Sequence, residues 1–185
     1  MSHTKQAIID AFWELLDEKM YNKITVRDIA ERCGVNRNTF YYYFQDIPEL
    51  ATASIELWVR GIAPADGSGS LASSIRPMVE ELTRRKQAFL HLYKSAQRDS
   101  FFLHLSGLEY RLIESYVRKA AAQLALPAHS LESLTRLYKC CATGIILDWL
   151  EADGKYDLMA FFSDVSRFFS GASERAFLMD AGKAE

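Results

Sequence analysis

The segment that can do chemistry runs from Thr25 to Phe44, T-V-R-D-I-A-E-R-C-G-V-N-R-N-T-F-Y-Y-Y-F. Its spacing predicts two short helices, Val26 to Cys33 and Arg37 to Tyr43, joined by a tight turn at Cys33-Gly34-Val35. Thr25 is placed as N-cap of the first helix, with Asp28 in the position of the capping-box acid, and Asn36 caps the second. Gly34 supplies the positive φ that the helix end needs. Ile29, Ala30, Val35 and Phe40 pack the helices on each other, and the small Ala30 permits a close crossing. Such a helix-turn-helix holds its second helix so that side chains near its start reach base edges in the major groove. Arg37 has the donors to read guanine O6 and N7, and Asn38 has the donor and acceptor to read adenine.

No rival chemistry stands out in the sequence. His3, His91, His104 and His129 are dispersed, and there is no Cys-x-x-Cys or His-Glu-x-x-His spacing, so no metal or cofactor is expected. Asp66-Gly-Ser-Gly-Ser lacks the Gly-Lys-Ser/Thr of a phosphate loop, and no Gly-x-Ser-x-Gly elbow surrounds a nucleophile. An enzyme is therefore not expected.

The two short helices need support, and the rest of the chain offers helices. Strand patterns are nearly absent, while apolar residues recur at helical spacing. Ile8, Ala11, Phe12, Leu15 and Leu16 stripe a helix over 4–20. Leu50, Ala51, Ile55 and Trp58 stripe another, capped by Asp46 with Pro48 in its first turn. Gly61 to Ser70 holds three of the nine Gly and one of the four Pro and reads as a linker. Helical patterns then follow at 71–84, 86–97, 99–124, 129–152 and 157–179, with Pro77 expected to end the N-terminal turn of the first or kink it. The expected fold is all-α: a three-helix helix-turn-helix domain with a connecting helix over 1–60, then a helical bundle over 61–185.

Residues 4–58 resemble the DNA-binding domain of TetR-like (tetracycline-repressor-like) bacterial regulators. The resemblance is carried by the first helix stripe, Ile24 to Ala30, Cys33-Gly34-Val35-Asn36, Thr39 to Phe44, and Glu49-Leu50. Beyond these, Gly144 to Gly154, with Trp149-Leu150-Glu151, is similar to the penultimate helix of some members. The resemblance implies that Thr25 and Arg27 face backbone phosphates and that Arg37 and Asn38 meet bases. It also implies that Thr39, Tyr41 and Tyr43 position phosphates and pack, while Tyr42 projects toward the groove. Phe40 and Phe44 are expected in the core, and Lys19 and Arg32 are read as solvated charges. Two positions depart from the family pattern. Asn38 stands where a small residue, often Gly, is usual, which implies changed base readout. Ile47 stands where Lys is common, which removes one phosphate partner.

Resemblance also implies dimerisation through the last two helices as a four-helix bundle. The face would include Leu137, Cys141, Gly144 and Asp148 from one helix and Phe161, Val165, Phe168, Phe169 and Ala172 from the other. A pocket for a small organic effector would draw on Phe89, Tyr93, Phe102, His104, Leu105, Tyr110, Tyr138 and Trp149, apolar walls with scattered polar tips. Aromatic residues at helical spacing also make plain core, so a packed bundle without a cavity is the alternative.

Composition sets outer bounds. With 185 residues, 49% of them apolar and 25% charged, the chain can bury a core and does not read as disordered. Three Cys, two of them adjacent (Cys140, Cys141), do not make a disulfide scaffold and fit a reducing cytosol. No apolar run approaches a membrane span, and the start shows no signal-peptide pattern, so a cytoplasmic location is expected. The net charge is −2, and residues 1–60 hold 7 Lys/Arg against 9 Asp/Glu. Residues 19–46 alone hold 5 against 3, a modest local basic surface. The expected function is a homodimeric, sequence-specific regulator that binds a palindromic operator in double-stranded DNA, a repressor controlled by a small organic effector. The alternative, motivated by Ile47 and the weak basic balance, is a helical dimer that has lost DNA binding and serves as a protein-interaction module.

Overall fold

The computed structural model describes residues 2–63, 70–124 and 128–168, whose regular structure is entirely helical. The order is α1 (His3–Glu18), a short 3-10 turn (Tyr21–Lys23), α2 (Val26–Arg32), α3 (Arg37–Tyr43), α4 (Ile47–Gly61), α5 (Leu71–Arg84), α6 (Lys86–Tyr93), α7 (Arg98–Leu124) and α8 (Ala128–Glu151). A further helix, α9, spans 158–168. The chain forms two compact units, one from the residues up to Ile62 with Leu82–Leu105, the other from Ala63–Glu81 with the residues from Ser106 onward.

In the first unit, Ile8, Phe12 and Leu16 of α1 bury the stripe seen in the sequence, together with Ile29, Phe40, Leu50 and Ile55. This brings α1 against α2 and α4. α6 packs on α1 and is fixed by two polar contacts. His91 Nδ1 lies 2.6 Å from the Leu16 carbonyl, and the Ala88 N–H donates to Asp17 Oδ1 at 3.2 Å. A carbonyl only accepts, so His91 Nδ1 carries the proton. Phe89 centres an aromatic cluster, its ring 4.8 Å from Trp58, 5.4 Å from Phe101 and 5.5 Å from Trp13.

In the second unit, Ile75, Met78 and Val79 of α5, Leu112 and Ile113 of α7, Ile146 and Trp149 of α8, and Phe162 of α9 are buried. The end of α8 is closed by left-handed backbone at Asp153 (φ 55°) and Gly154 (φ 64°), whose N–H groups return to Leu150 and Trp149 carbonyls at 3.1 and 2.8 Å. Trp149 Nε1 donates to the Tyr156 carbonyl at 3.1 Å, and Tyr156 Oη donates to Asp148 at 2.9 Å. Burial, reinforced by Asp148, pushes the Tyr156 phenol up to about 12.

One expected boundary moves by more than two residues. α6 ends at Tyr93, short of 97, because Ser95 Oγ donates to the Leu92 carbonyl (2.7 Å) and accepts from the Gln97 N–H (3.0 Å), so a side-chain turn replaces the last helical turn. Pro77 lies inside α5 and does not end it. It removes one backbone bond, but the buried face of Ile75, Met78 and Val79 holds the helix on both sides of it. Of the helix expected over 157–179, the part beyond 168 lies outside the described residues, as do Phe169 and Ala172.

One buried charge-bearing group stands out in the second unit. Glu109 is fully buried and accepts a 2.5 Å hydrogen bond from Thr143 Oγ1. Burial raises its carboxyl to about 7, against the opposing pulls of Thr143 and Lys139. Between pH 4.5 and about 7 the folded chain therefore holds a proton that the unfolded chain releases, so stability falls as pH rises through that window and levels off above it. The full swing is of order 3 kcal/mol. Glu109→Gln should remove this slope and raise the melting temperature near pH 8. A wild-type melting temperature independent of pH between 5 and 7.5 would contradict the buried proton.

Candidate nucleic-acid interface

The helix-turn-helix is built from capped short helices. Thr25 caps α2 reciprocally: its N–H donates to Asp28 Oδ2 at 2.8 Å, and the Asp28 N–H donates to Thr25 Oγ1 at 3.2 Å. Lys19 Nζ stands 2.8 Å from the same carboxylate. The Lys19 hydrogen bond, with help from Thr25, holds the Asp28 carboxyl down at about 2. Gly34 sits at φ 69°, and the Val35 N–H returns to the Ala30 carbonyl at 2.9 Å, closing the turn. Asn36 Oδ1 then accepts from the Thr39 N–H at 2.8 Å and opens α3.

Residues of α3 lie about 100° apart. Phe40 and Phe44 are buried, their rings 6.0 Å apart, and they fix which side faces inward. The opposite side carries Asn38 and Tyr42, the latter 81% exposed. Arg37 and Tyr41 form one flank, with Tyr41 55% exposed and its ring edge-on to Phe40. Thr39 and Tyr43 form the other. Thr39 Oγ1 donates to Asn36, and Tyr43 Oη is 3.0 Å from Ser2 Oγ.

The expected DNA-contacting residues therefore fall into two groups. Arg37, Asn38, Tyr41 and Tyr42 are exposed on α3, free of any ion pair or side-chain hydrogen bond among the described residues. Thr25, Arg27, Thr39 and Tyr43 are exposed or half-buried and already engaged: Thr25 in its cap, Arg27 with Glu31 at 2.6 Å. The reading of Lys19 and Arg32 as solvated charges needs correction. Arg32 forks onto Glu18 at 2.8 and 2.6 Å and reaches Glu14 at 3.3 Å, tying α2 to α1. Glu14 and Glu18, four apart on α1, were the available signal. Ile47 is half-buried in the first turn of α4.

The second unit contains an open apolar cleft. Its walls are Leu71, Ala72 and Ile75 of α5, Ile113 of α7, Tyr138, Cys141, Ala142 and Ile145 of α8, and Phe162, Val165 and Ser166 of α9. Of the residues expected around an effector, Tyr138 lines it. Phe89 and Leu105 are core of the first unit. Tyr93 and Phe102 stack edge-on at 5.9 Å in that unit, beneath the Arg98 guanidinium. His104 lies between the Ser100 carbonyl (Nδ1, 2.7 Å) and Glu56 (Nε2, 3.5 Å). Tyr110 is exposed on α7, and Trp149 is buried at the closure of α8. Of the expected dimer-face residues, Cys141 and Val165 line the cleft, while Leu137, Gly144, Asp148, Phe161 and Phe168 are exposed.

The fold and this surface define a helix-turn-helix protein with an appended helical unit. Residues 8–53 match the family described as bacterial regulatory proteins, tetR family, a match that covers about a quarter of the chain. The HTH-type dhaKLM operon transcriptional activator DhaS of Lactococcus lactis is 40% identical over 47 residues. That alignment covers 25% of this chain and 25% of the relative, so the chain is matched over only a quarter of that relative's length. A solved structure of a dihydroxyacetone kinase operon activator DhaS superposes with a TM-score of 0.72 at 16% identity, covering 95% of this chain and 98% of that one. A tetR-family regulator from Streptomyces coelicolor gives 0.69 at 16% identity over 99% and 87%. FadR from Bacillus subtilis, solved in complex with stearoyl-CoA, gives 0.65 at 18% identity over 88% and 95%. The structural likenesses establish the shared fold, and the proteins named are regulators rather than enzymes. No described helix is long and apolar enough to cross a membrane.

Thr25→Ala should fray α2 and lower stability by about 1 kcal/mol, the usual worth of such a cap. Thr25→Ser should keep most of it. Chemical denaturation read by far-ultraviolet circular dichroism checks this, and equal midpoints for Thr25→Ala and wild type would mean that the reciprocal cap is not formed in solution.

Proposed function

We propose that the protein is a homodimeric, sequence-specific DNA-binding transcription regulator under small-molecule control. Residues 1–60 would serve as the reader, and 61–185 would carry the effector cleft and the dimer face. The observation that carries the reading is the outward side of α3: Asn38 and Tyr42 stand exposed on a helix whose roll is set by buried Phe40 and Phe44. A phenol 81% exposed is a poor choice for a solvated surface and a good one for groove contact. Arg37 adds a fork of donors for guanine.

A two-fold dimer matches a palindromic site, with half-sites about 34–36 Å apart or a multiple of that. The exposed Leu137, Phe161 and Phe168 support the dimer, because apolar side chains clustered on the last helices favour burial against a second copy. Gly144 is exposed with open space in its Cβ direction, which leaves room for a close helix approach. Among the described residues no charged side chain lines the cleft, so it suits the apolar body of a small organic molecule. Such a ligand shifts the balance between reader spacings only by its differential affinity for them. Repression is the simplest outcome, since a dimer seated on an operator blocks that DNA to other proteins. The DhaS relative is named an activator, and a reporter gene with the operator placed over or upstream of its promoter separates the two outcomes.

The primary test is selection from a random duplex pool by the purified, ligand-free protein at moderate salt. An inverted repeat should be enriched by wild type and lost by the Arg37→Ala/Tyr42→Ala double variant. A folded dimer that enriches nothing even at low salt would overturn the reading and favour a protein-interaction module.

A further inference from the structure

Charge pairing in the first unit singles out a cation outside the helix-turn-helix. Residues 1–60 contain 7 Lys/Arg. Four of them stand against carboxylates: Lys19 on Asp28 (2.8 Å), Arg27 on Glu31 (2.6 Å), Arg32 on Glu14 and Glu18 (3.3 and 2.6 Å), and Arg60 on Glu56 (3.1 Å). Lys5, Lys23 and Arg37 carry no ion pair among the described residues. A carboxylate partner must be given up before a side chain can neutralise a phosphate. These three are therefore the cations of this region that can meet DNA without first breaking a pair.

Arg37 belongs to the reader itself. Lys5 lies far from it in sequence, yet two contacts place it beside α3. Its Nζ is 5.1 Å from the centre of the Phe44 ring, the residue that ends α3. One helical turn earlier, Ser2 Oγ is 3.0 Å from Tyr43 Oη. The first turn of α1 is thus tied to the end of α3 on the Thr39–Tyr43 flank. On α3 that flank offers hydroxyls and no cation, whereas Arg37 sits on the opposite flank. A helix lying in the major groove is bordered by phosphates on both sides. The Phe44 ring face orients the Lys5 stem and leaves the N–H donors of the ammonium available. The neutral Ile47 cannot do this work from α4.

We propose that Lys5 is a backbone-phosphate contact of the reader, neutralising the strand that passes the Tyr43 flank of α3. This rests on the DNA-binding reading above. As a phosphate contact Lys5 adds affinity on every sequence and selects none.

The test is the salt dependence of binding to the selected duplex. Each phosphate contact contributes about 0.9 to the slope of log affinity against log salt, so losing one from each protomer should flatten the slope by about 1.8. Lys5→Gln should show that loss and enrich the same sequence as wild type. Lys5→Arg should restore the slope. Lys119→Gln, an exposed lysine of the second unit, should leave it unchanged. A wild-type slope in Lys5→Gln, a shifted consensus, an equal change in Lys119→Gln, or failure of a natively folded Lys5→Arg to restore the slope each overturns the assignment while DNA binding stands. If the wild type binds no duplex at any salt, the assignment falls together with the DNA-binding reading.

Discussion

The burial of Phe40 and Phe44 is the interaction on which the rest of the helix-turn-helix depends. α3 has seven residues, about two turns, and a helix that short does not persist alone in water. Its existence and its roll must come from outside. Two phenylalanines four apart define one inward line, buried where α3 packs on α2 and meets the first turn of α1. With the inward line fixed, Asn38 and Tyr42 point outward by geometry alone. The caps at Asn36 and Asp46, the left-handed Gly34 and the Ser2–Tyr43 contact each set one end of this arrangement. None of them could orient the helix without the aromatic pair.

Electrostatics in this region is mostly structural. Arg32 holds α2 to α1 by forking onto Glu18, which lowers that carboxyl and raises the guanidinium. Lys19 neutralises the cap acid of α2, where an unpaired carboxylate would repel a passing phosphate. The near balance of charge over residues 1–60 therefore does not describe the surface a polyanion would meet. Glu14, Glu18, Asp28, Glu31 and Glu56 are matched to particular cations at short range, Asp46 and Glu49 accept backbone N–H groups at the start of α4, and Lys5 and Arg37 stand unpaired at α3. Local pairing, not net charge, is the relevant quantity, since pairs within about 3 Å largely cancel beyond a Debye length.

The fold was legible where the chain obeys local rules. The capping box at Thr25 and Asp28, the turn at Gly34, the caps at Asn36 and Asp46, and the core positions Phe40 and Phe44 follow from short-range preferences and stand where the residues placed them. Legibility failed where partners are distant in sequence. Arg32 with Glu18 and Ser2 with Tyr43 are separated by 14 and 41 residues; the spacing of Glu14 and Glu18 marks an acidic face but does not name its cation, and nothing local marks Ser2 with Tyr43. The end of α6 was missed for a smaller reason: Ser95 competes for backbone groups, and a stripe of apolar residues does not register one hydroxyl.

The cleft shows why an effector site resists the same treatment. An aromatic residue at helical spacing announces only that it will be buried, and Phe89 and Trp149 satisfy that demand inside the cores of their units. The cleft wall is instead built largely from small and aliphatic side chains, Leu71, Ala72, Ala142 and Ile145 among them, with Tyr138 the one residue it shares with the aromatic list. Space arises where neighbouring helices both present residues too short to meet. That is a property of pairs of faces, not of any one stripe. A reader domain is constrained by a partner of fixed geometry, so its residues recur in order and can be recognised. A cleft is constrained only to leave room, and many combinations of small residues do so. The same contrast accounts for a family match confined to residues 8–53 beside a helical frame that extends over nearly all of the DhaS structure.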